Sequence, residues 1–178
     1  MPVLRSLWKT KLYFLDGGKE YRDVLAESGE PPVPQTEWIM SHVPDGGQAF
    51  SIGKTFALNK ERERIRTEVA KQWNATHLLT GTGRPVDAII SAVAPTLAPV
   101  HNTTRWWGYT SFWNLVDYPA VVFPVGIYNC HEATDISSLA TSKDTISNGD
   151  SDIAKFTANQ WSPRKFDGLP IKIGRAHV

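Results

Sequence analysis

Two short apolar runs, each bounded by prolines, constrain the fold of this chain more than any other feature. The first spans residues 86–93 and the second residues 120–123. Both are rich in β-branched residues and neither alternates with polar ones, which is typical of strands that are covered on both faces, as in a parallel sheet. Two strands are too few for a complete α/β domain, so we expect part of the sheet to be missing from this chain.

Helical periodicity dominates the residues before the first run. A long helix is predicted over residues 54–76, with Phe56, Ile65, Val69 and Trp73 on one face and pairs of opposite charge on the other. Shorter helical segments are predicted at residues 4–15, 21–25, 36–40 and 111–117, and a polar surface loop is predicted at residues 131–152. Helices together with covered strands indicate an α/β architecture.

Composition excludes several classes of protein. The chain has 178 residues, of which 41% are hydrophobic, so it can bury a core. Its 19 Lys and Arg residues nearly balance 18 Asp and Glu residues, which argues against a protein dedicated to nucleic acid or to a membrane surface. No apolar stretch has the length of a membrane span, and the first residues lack the apolar core of a signal peptide. The single cysteine, Cys130, excludes an internal disulfide. We therefore expect a cytoplasmic location, whereas the oligomeric state is left open.

Fragments of known site motifs occur, but none is complete. Gly53-Lys54-Thr55 resembles the end of a phosphate-binding loop, yet Gln48 stands where that motif requires glycine. The five histidines lack the spacing of metal ligands on one helix, and no serine lies in a glycine-rich elbow. The side chains of Cys130 and His131 are expected to diverge, because neighbours in an extended segment point to opposite sides. We therefore predict no catalytic residue, no metal and no cofactor in this chain.

The densest chemical feature is the aromatic segment of residues 101–114, which holds three of the seven tryptophans. It follows the first predicted strand, and ligands of open α/β sheets bind beyond the carboxyl ends of strands. Aromatic rings with a few polar groups suit a small-molecule pocket. The same rings also suit ordinary packing beneath a loop, and both interpretations stay open.

A family resemblance covers most of the chain. It is carried by Asn114-Leu115, Asp117-Tyr118-Pro119-Ala120 and Pro124-Val125-Gly126 in close order, with weaker likeness at residues 16–18, 28–31, 83–95 and 166–171. These residues resemble the later part of the amidase signature family, and fungal acetamidase-type enzymes in particular. The resemblance implies a mixed sheet covered by helices on both faces, incomplete here. It divides the chain into a mainly helical section at residues 1–80 and a strand-containing section of the same domain at residues 81–171.

The resemblance implies hydrolysis of a non-peptide carboxylic amide to an acid and an amine. The family uses a Lys, a bridging Ser and a nucleophilic Ser in a Gly/Ser-rich signature that lies upstream of the matching region, so no catalytic residue is carried over. The candidates for one wall of the substrate site are Trp106, Trp107, Thr110 and Trp113. Asn114, Asp117, Pro119 and Pro124 are instead expected to hold the turn and the strand.

We therefore expect a C-terminal fragment of an amide hydrolase that is inactive alone and whose partner, in the full-length protein, is a small-molecule amide. Residues 172–178 are expected to be a non-native tail, because Ile173 to Val178 is similar to the translation of a common sequencing adapter. One alternative is a non-catalytic small-molecule binding or interaction protein derived from an amidase. Another is a different enzyme that uses His101 or Cys130.

Overall fold

A computed structural model describes residues 11–131 and 152–177. Most of the loop predicted at residues 131–152 lies outside these residues, as does the beginning of the helix predicted at residues 4–15. Residues 11–18 form turns rather than the end of that helix. The chain divides into two compact units, Met1–Thr67 and Glu68–Val178, which are taken in turn below.

Helices make up the described part of the first unit. They are α1 (Lys19–Ser28), α2 (Pro34–Met40), a 3₁₀ turn (Pro44–Gly47) and the beginning of α3 (Ile52–Ala75). Helix α1 starts beyond Asp16, whose carboxylate accepts the backbone N–H groups of Gly18 and Glu20 at 2.8 Å each. It ends at Gly29, which adopts the left-handed backbone conformation that glycine favours at this position.

The long helix α3 confirms the predicted segment but corrects the predicted face. Arg64 pairs with Glu61 at 2.6 Å, as its three-residue spacing predicts. Phe56, expected on the buried face, is 71% exposed, whereas Leu58 and Ile65 are buried. Phe56 was wrongly placed because it precedes Ile65 by about two and a half turns at roughly 3.6 residues per turn, which puts the two side chains on opposite sides.

The second unit combines a sheet with short helices. Its elements after α3 are a 3₁₀ turn (Thr76–Leu78), β1 (Ala88–Ala92), α4 (Gly108–Val116), β2 (Ala120–Ile127), α5 (Asp152–Asn159), α6 (Pro163–Phe166) and β3 (Pro170–His177). The α/β architecture predicted from the sequence is therefore confirmed. No helix among the described residues is long and apolar enough to cross a membrane.

The sheet is antiparallel, with β3 between the other two strands in the order β1-β3-β2. Ile173 of β3 faces Ala92 of β1 on one side and Phe123 of β2 on the other. Strands β1 and β2 consequently run in the same direction without pairing with each other, so the parallel pairing suggested by their apolar runs is wrong. Uninterrupted apolar residues indicate burial of a strand but do not specify the direction of its neighbour.

Within the described residues, neither run is covered on both faces. Every residue of β2 is exposed, and Ile127 reaches 72%. The β-branched side chains of this strand are therefore not buried by the other described residues of this chain. Such a surface is suited to a further layer of protein.

We predict that Ile173→Pro lowers the free energy of unfolding by about 2 kcal/mol or more, because it removes an N–H from the middle of the central strand and leaves a partner carbonyl unpaired. Ile173→Val keeps the backbone donor and should cost less than about 1 kcal/mol at this half-buried position. Urea unfolding followed by tryptophan fluorescence measures both. Equal midpoints for the two variants would contradict the central position of β3.

We predict that Asp16→Ala weakens the first unit most clearly above about pH 4. The backbone N–H of Glu20, and then that of Gly18, lower the pKa of the Asp16 carboxyl. A lowered pKa means that the charged group stabilises the folded chain above its unfolded pKa, and that this contribution disappears as the pH falls through the folded value. Asp23→Ala is the matched control, because Asp23 makes only an exposed ion pair with Lys19. Circular dichroism during urea unfolding at several pH values should show a pH-dependent deficit for Asp16→Ala alone.

Candidate functional site

The four residues predicted to line a substrate site lie along the beginning of α4, but at different depths. Trp113 is buried, with 8% exposure, whereas Trp106 is 38% exposed. Trp107, immediately before α4, and Thr110, in its first turn, are half-buried. The set therefore separates into one interior residue and three residues that reach the surface.

Trp113 belongs to an interior cluster that joins α4 to the sheet. Its indole N–H donates to the Ser91 hydroxyl of β1 at 3.3 Å, and its ring stacks on Tyr118 with centroids 6.5 Å apart. Tyr118 also meets the ring of Trp73 edge-on at 5.5 Å, and the Trp73 indole N–H donates to the carbonyl of Val86 at 2.8 Å. We call Trp73, Trp113 and Tyr118 the tryptophan core. Packing, one of the two interpretations of the aromatic segment, accounts for Trp113.

The remaining three predicted residues, together with Tyr109, form what we call the α4 rim. Trp106 meets Tyr109 edge-on, with ring centroids 4.8 Å apart. The Trp106 ring lies directly over Gly108, where an added Cβ would come within 2.2 Å of the indole atom Cζ2. Glycine at this position therefore allows the ring to lie flat against the helix start. The Thr110 hydroxyl donates to the carbonyl of Trp107 at 3.0 Å, which fixes its orientation.

Residues in and just after helix α5 contact Thr103 and Arg105, which precede the α4 rim. The Gln160 side chain, just beyond α5, donates to the carbonyl of Thr103 at 2.8 Å. The Arg105 guanidinium lies 5.4 Å from the centroid of the Phe156 ring, within the range of a cation–π contact. The sequence did not predict α5, because it directly follows the long polar segment. An apolar pair at Ile153 and Phe156, three residues apart, was the available signal.

The partial phosphate-loop motif lies in helix α3. The Lys54 ammonium forms an ion pair with Asp45 at 2.5 Å and lies 3.8 Å from the centroid of the Phe50 ring. The Lys54 ammonium is therefore paired within the protein, and its position does not require a bound phosphate. The residue that breaks the motif, Gln48, donates its backbone N–H to the carbonyl of Asp45.

A second group of reactive side chains meets where β2 and β3 approach each other. The ligand atoms of Cys130, His131 and Asp167 all lie within 4.8 Å of one another. The expectation that Cys130 and His131 diverge is wrong, because the two residues lie in a turn rather than in an extended strand. Alternation of side chains holds only for extended backbone.

The electrostatics of this group oppose a cysteine nucleophile. Burial, followed by the hydrogen bond to the Asp167 carboxylate, raises the pKa of the Cys130 thiol. The backbone N–H of Cys130 donates to that carboxylate at 2.9 Å and lowers the pKa of Asp167. A raised pKa keeps the thiol protonated at neutral pH, whereas a catalytic cysteine requires a lowered one.

Comparison of the chain with known proteins identifies its relatives. A protein of Schizosaccharomyces pombe that is named as an amidase is 40% identical over 116 residues, which are 65% of this chain and 20% of that protein. An amidase of Gibberella zeae is 35% identical over 123 residues, which are 69% of this chain and 22% of the relative. The chain belongs to the amidase signature family. No protein-family model matches it.

Two further comparisons cover nearly the whole chain. An acetamidase of Aspergillus oryzae is 29% identical over 166 residues, which are 92% of this chain and 28% of the relative. The solved structure of a fatty acid amide hydrolase covers 99% of this chain with a TM-score of 0.76 at 24% identity, which shows a shared fold. This amidase-family chain spans 20% to 28% of the length of these three relatives.

We predict that Trp113→Ala lowers the free energy of unfolding by about 3–5 kcal/mol, because it opens a cavity beside Tyr118 and leaves the Ser91 hydroxyl without its donor. Trp106→Ala should cost no more than about 1 kcal/mol, since this ring is partly exposed. Urea unfolding measures both losses. A small loss for Trp113→Ala would contradict its place in the tryptophan core.

Proposed function

We propose that this chain is a C-terminal segment of an amide hydrolase, in which it supplies the scaffold and one wall of a site for a non-peptide carboxylic amide. The observation that carries the proposal is the 40% identity over 116 residues to a relative named as an amidase. The reaction of the whole protein would convert the amide and water to a carboxylic acid and an amine.

The chemical step is assigned to residues outside this chain. The family resemblance implies a Lys base, a bridging Ser and a nucleophilic Ser within a Gly/Ser-rich signature, and the sequence contains no segment that matches it. Such a base would take the proton of the hydroxyl as it attacks the amide carbonyl, and backbone N–H groups would hold the oxyanion. We therefore propose that the chain alone does not hydrolyse amides.

The α4 rim is our candidate for the wall that contacts the substrate. Trp106 and Trp107 offer apolar ring surface to the acyl or amine substituent. The Thr110 hydroxyl donates to the carbonyl of Trp107, so its oxygen lone pairs remain the atoms that can accept from an amide N–H. Trp113 would act through packing, because its indole N–H is bonded to Ser91.

The exposure of β2 supports the same proposal. Val121, Val122 and Ile127 are 56%, 49% and 72% exposed, although β-branched side chains in a strand normally pack against neighbours. Val121 and Val122 are consecutive and point to opposite faces, so both faces of β2 are exposed. We propose that the rest of the amidase domain covers them in the whole protein.

The proposed role of the α4 rim in substrate binding is tested in a chimera. In it, this chain replaces the matching segment of the Aspergillus oryzae acetamidase. Acetamide is the assay substrate, because the recipient is named an acetamidase. In an active chimera, we predict that Trp106→Ala and Thr110→Ala each raise KM about tenfold or more, with a smaller effect on kcat. Phe56→Ala is the matched control at an aromatic side chain that is 71% exposed. Unchanged KM in both rim variants would contradict the assignment.

For the isolated chain, we predict no release of ammonia from acetamide. We also predict strong enhancement of the fluorescence of a hydrophobic dye, because the apolar side chains of β2 are exposed. Amide turnover by the isolated chain would refute the proposal that the catalytic residues lie outside it. Saturable amide binding without turnover, together with no dye binding, would instead support a non-catalytic binding protein.

A further inference from the structure

The turn after β2 and the segment before β3 bring three metal-binding side chains together. Beyond the ends of the two strands, the backbone N–H of Tyr128 donates to the carbonyl of Leu169, and the N–H of Gly168 donates to the carbonyl of Tyr128, both at 2.9 Å. This pairing places Cys130 beside Asp167, whose carboxylate accepts the Cys130 N–H at 2.9 Å. The arrangement is independent of the α4 rim and of the proposed amide hydrolysis.

An aromatic stack supports the backbone beneath these side chains. The ring of Trp161 stacks on Phe166 with centroids 5.2 Å apart and meets Tyr128 edge-on at 5.7 Å. Phe166 is buried and immediately precedes Asp167. The stack therefore anchors the backbone immediately before Asp167, and the N–H of Cys130 bonds to the carboxylate.

The donor set is that of a zinc site. One thiol sulfur, one imidazole nitrogen and one carboxylate oxygen lie within 4.8 Å of one another. Zinc bond lengths of about 2.0–2.3 Å in a tetrahedron place neighbouring donors about 3.3–3.8 Å apart. His131 and Asp167 are exposed, so small rotations of their side chains can close this difference. The second oxygen of Asp167 can bind a metal while Oδ1 keeps its bond to Cys130.

We propose that Cys130, His131 and Asp167 bind one Zn²⁺ ion, with the fourth position open to water. As the bond from zinc to sulfur forms, the proton of the Cys130 thiol passes to solvent, and no electron is transferred. The bound ion links the end of β2 to the start of β3. It should therefore stabilise the folded chain in proportion to its affinity and free concentration.

The proposal is tested with the full chain and metal ion alone. Zn²⁺ competes with a chromophoric chelator in a titration, and Co²⁺ serves as a spectroscopic probe, because a thiolate ligand gives a charge-transfer absorption in the near ultraviolet. We expect one ion per chain, the thiolate absorption with Co²⁺, and a Zn²⁺-dependent rise in the unfolding temperature. Cys130→Ser and Asp167→Asn should each weaken Zn²⁺ binding at least tenfold, and Cys130→Ser should abolish the absorption.

Two controls separate the site from incidental binding. Asp167→Asn keeps an oxygen that accepts the Cys130 N–H, so its far-ultraviolet circular dichroism should match the parent chain while its zinc affinity falls. His101→Asn removes an exposed histidine outside the group and should change the affinity less than twofold. Two results would overturn the proposal. One is zinc binding by Cys130→Ser and Asp167→Asn that is as strong as that of the parent chain, and the other is Co²⁺ binding by the parent chain without thiolate absorption.

Discussion

The antiparallel pairing of β3 with both β1 and β2 is the interaction on which the second unit depends. Strand β3 is the last described element, yet it fills the gap between two strands that precede it and do not pair with each other. Its pairing with β1 aligns the strand that carries Ser91, the hydrogen-bond partner of Trp113 in α4. Its pairing with β2 brings Cys130 to Asp167. The tryptophan core and the Cys130–Asp167 contact therefore each depend on one side of β3.

Some aromatic residues of the second unit pack in the interior and others remain partly exposed, and the amino-acid composition does not show which residue does which. In the tryptophan core, the indole N–H groups of Trp113 and Trp73 bond to Ser91 and to the Val86 carbonyl, so both indole rings are packed with their polar atom bonded. The buried Tyr118 hydroxyl has no hydrogen-bond partner among the described residues. At the α4 rim, Trp106 instead rests over Gly108 and remains partly exposed. Trp106 lies before α4 and outside the helix, whereas Trp113 lies within α4 and bonds to Ser91 of β1, so the first stays partly exposed and the second packs in the interior.

Elements with strong local periodicity or turn chemistry were predictable, and those that depend on distant partners were not. Helix α3 and the stop of α1 at Gly29 follow from charge pairs and a glycine cap. Strand β3 (Pro170–His177) was not predicted, and most of it falls in residues 172–178, which were expected to be a non-native tail. Lys172 and Gly174 interrupt its apolar pattern, and its pairing depends on two distant neighbours. The meeting of Cys130 with Asp167, which lie 37 residues apart, could not be inferred from spacing along the chain.

The sequence by itself determined the α/β class, the main helical segments, the aromatic segment and the amidase resemblance, because local periodicity, composition and short motifs encode these directly. Only the tertiary structure decided the direction of strand pairing, the depth of each tryptophan and the grouping of Cys130, His131 and Asp167. These depend on which distant backbone groups satisfy one another, since a strand leaves its N–H and C=O groups to be paired by whichever strand lies beside it.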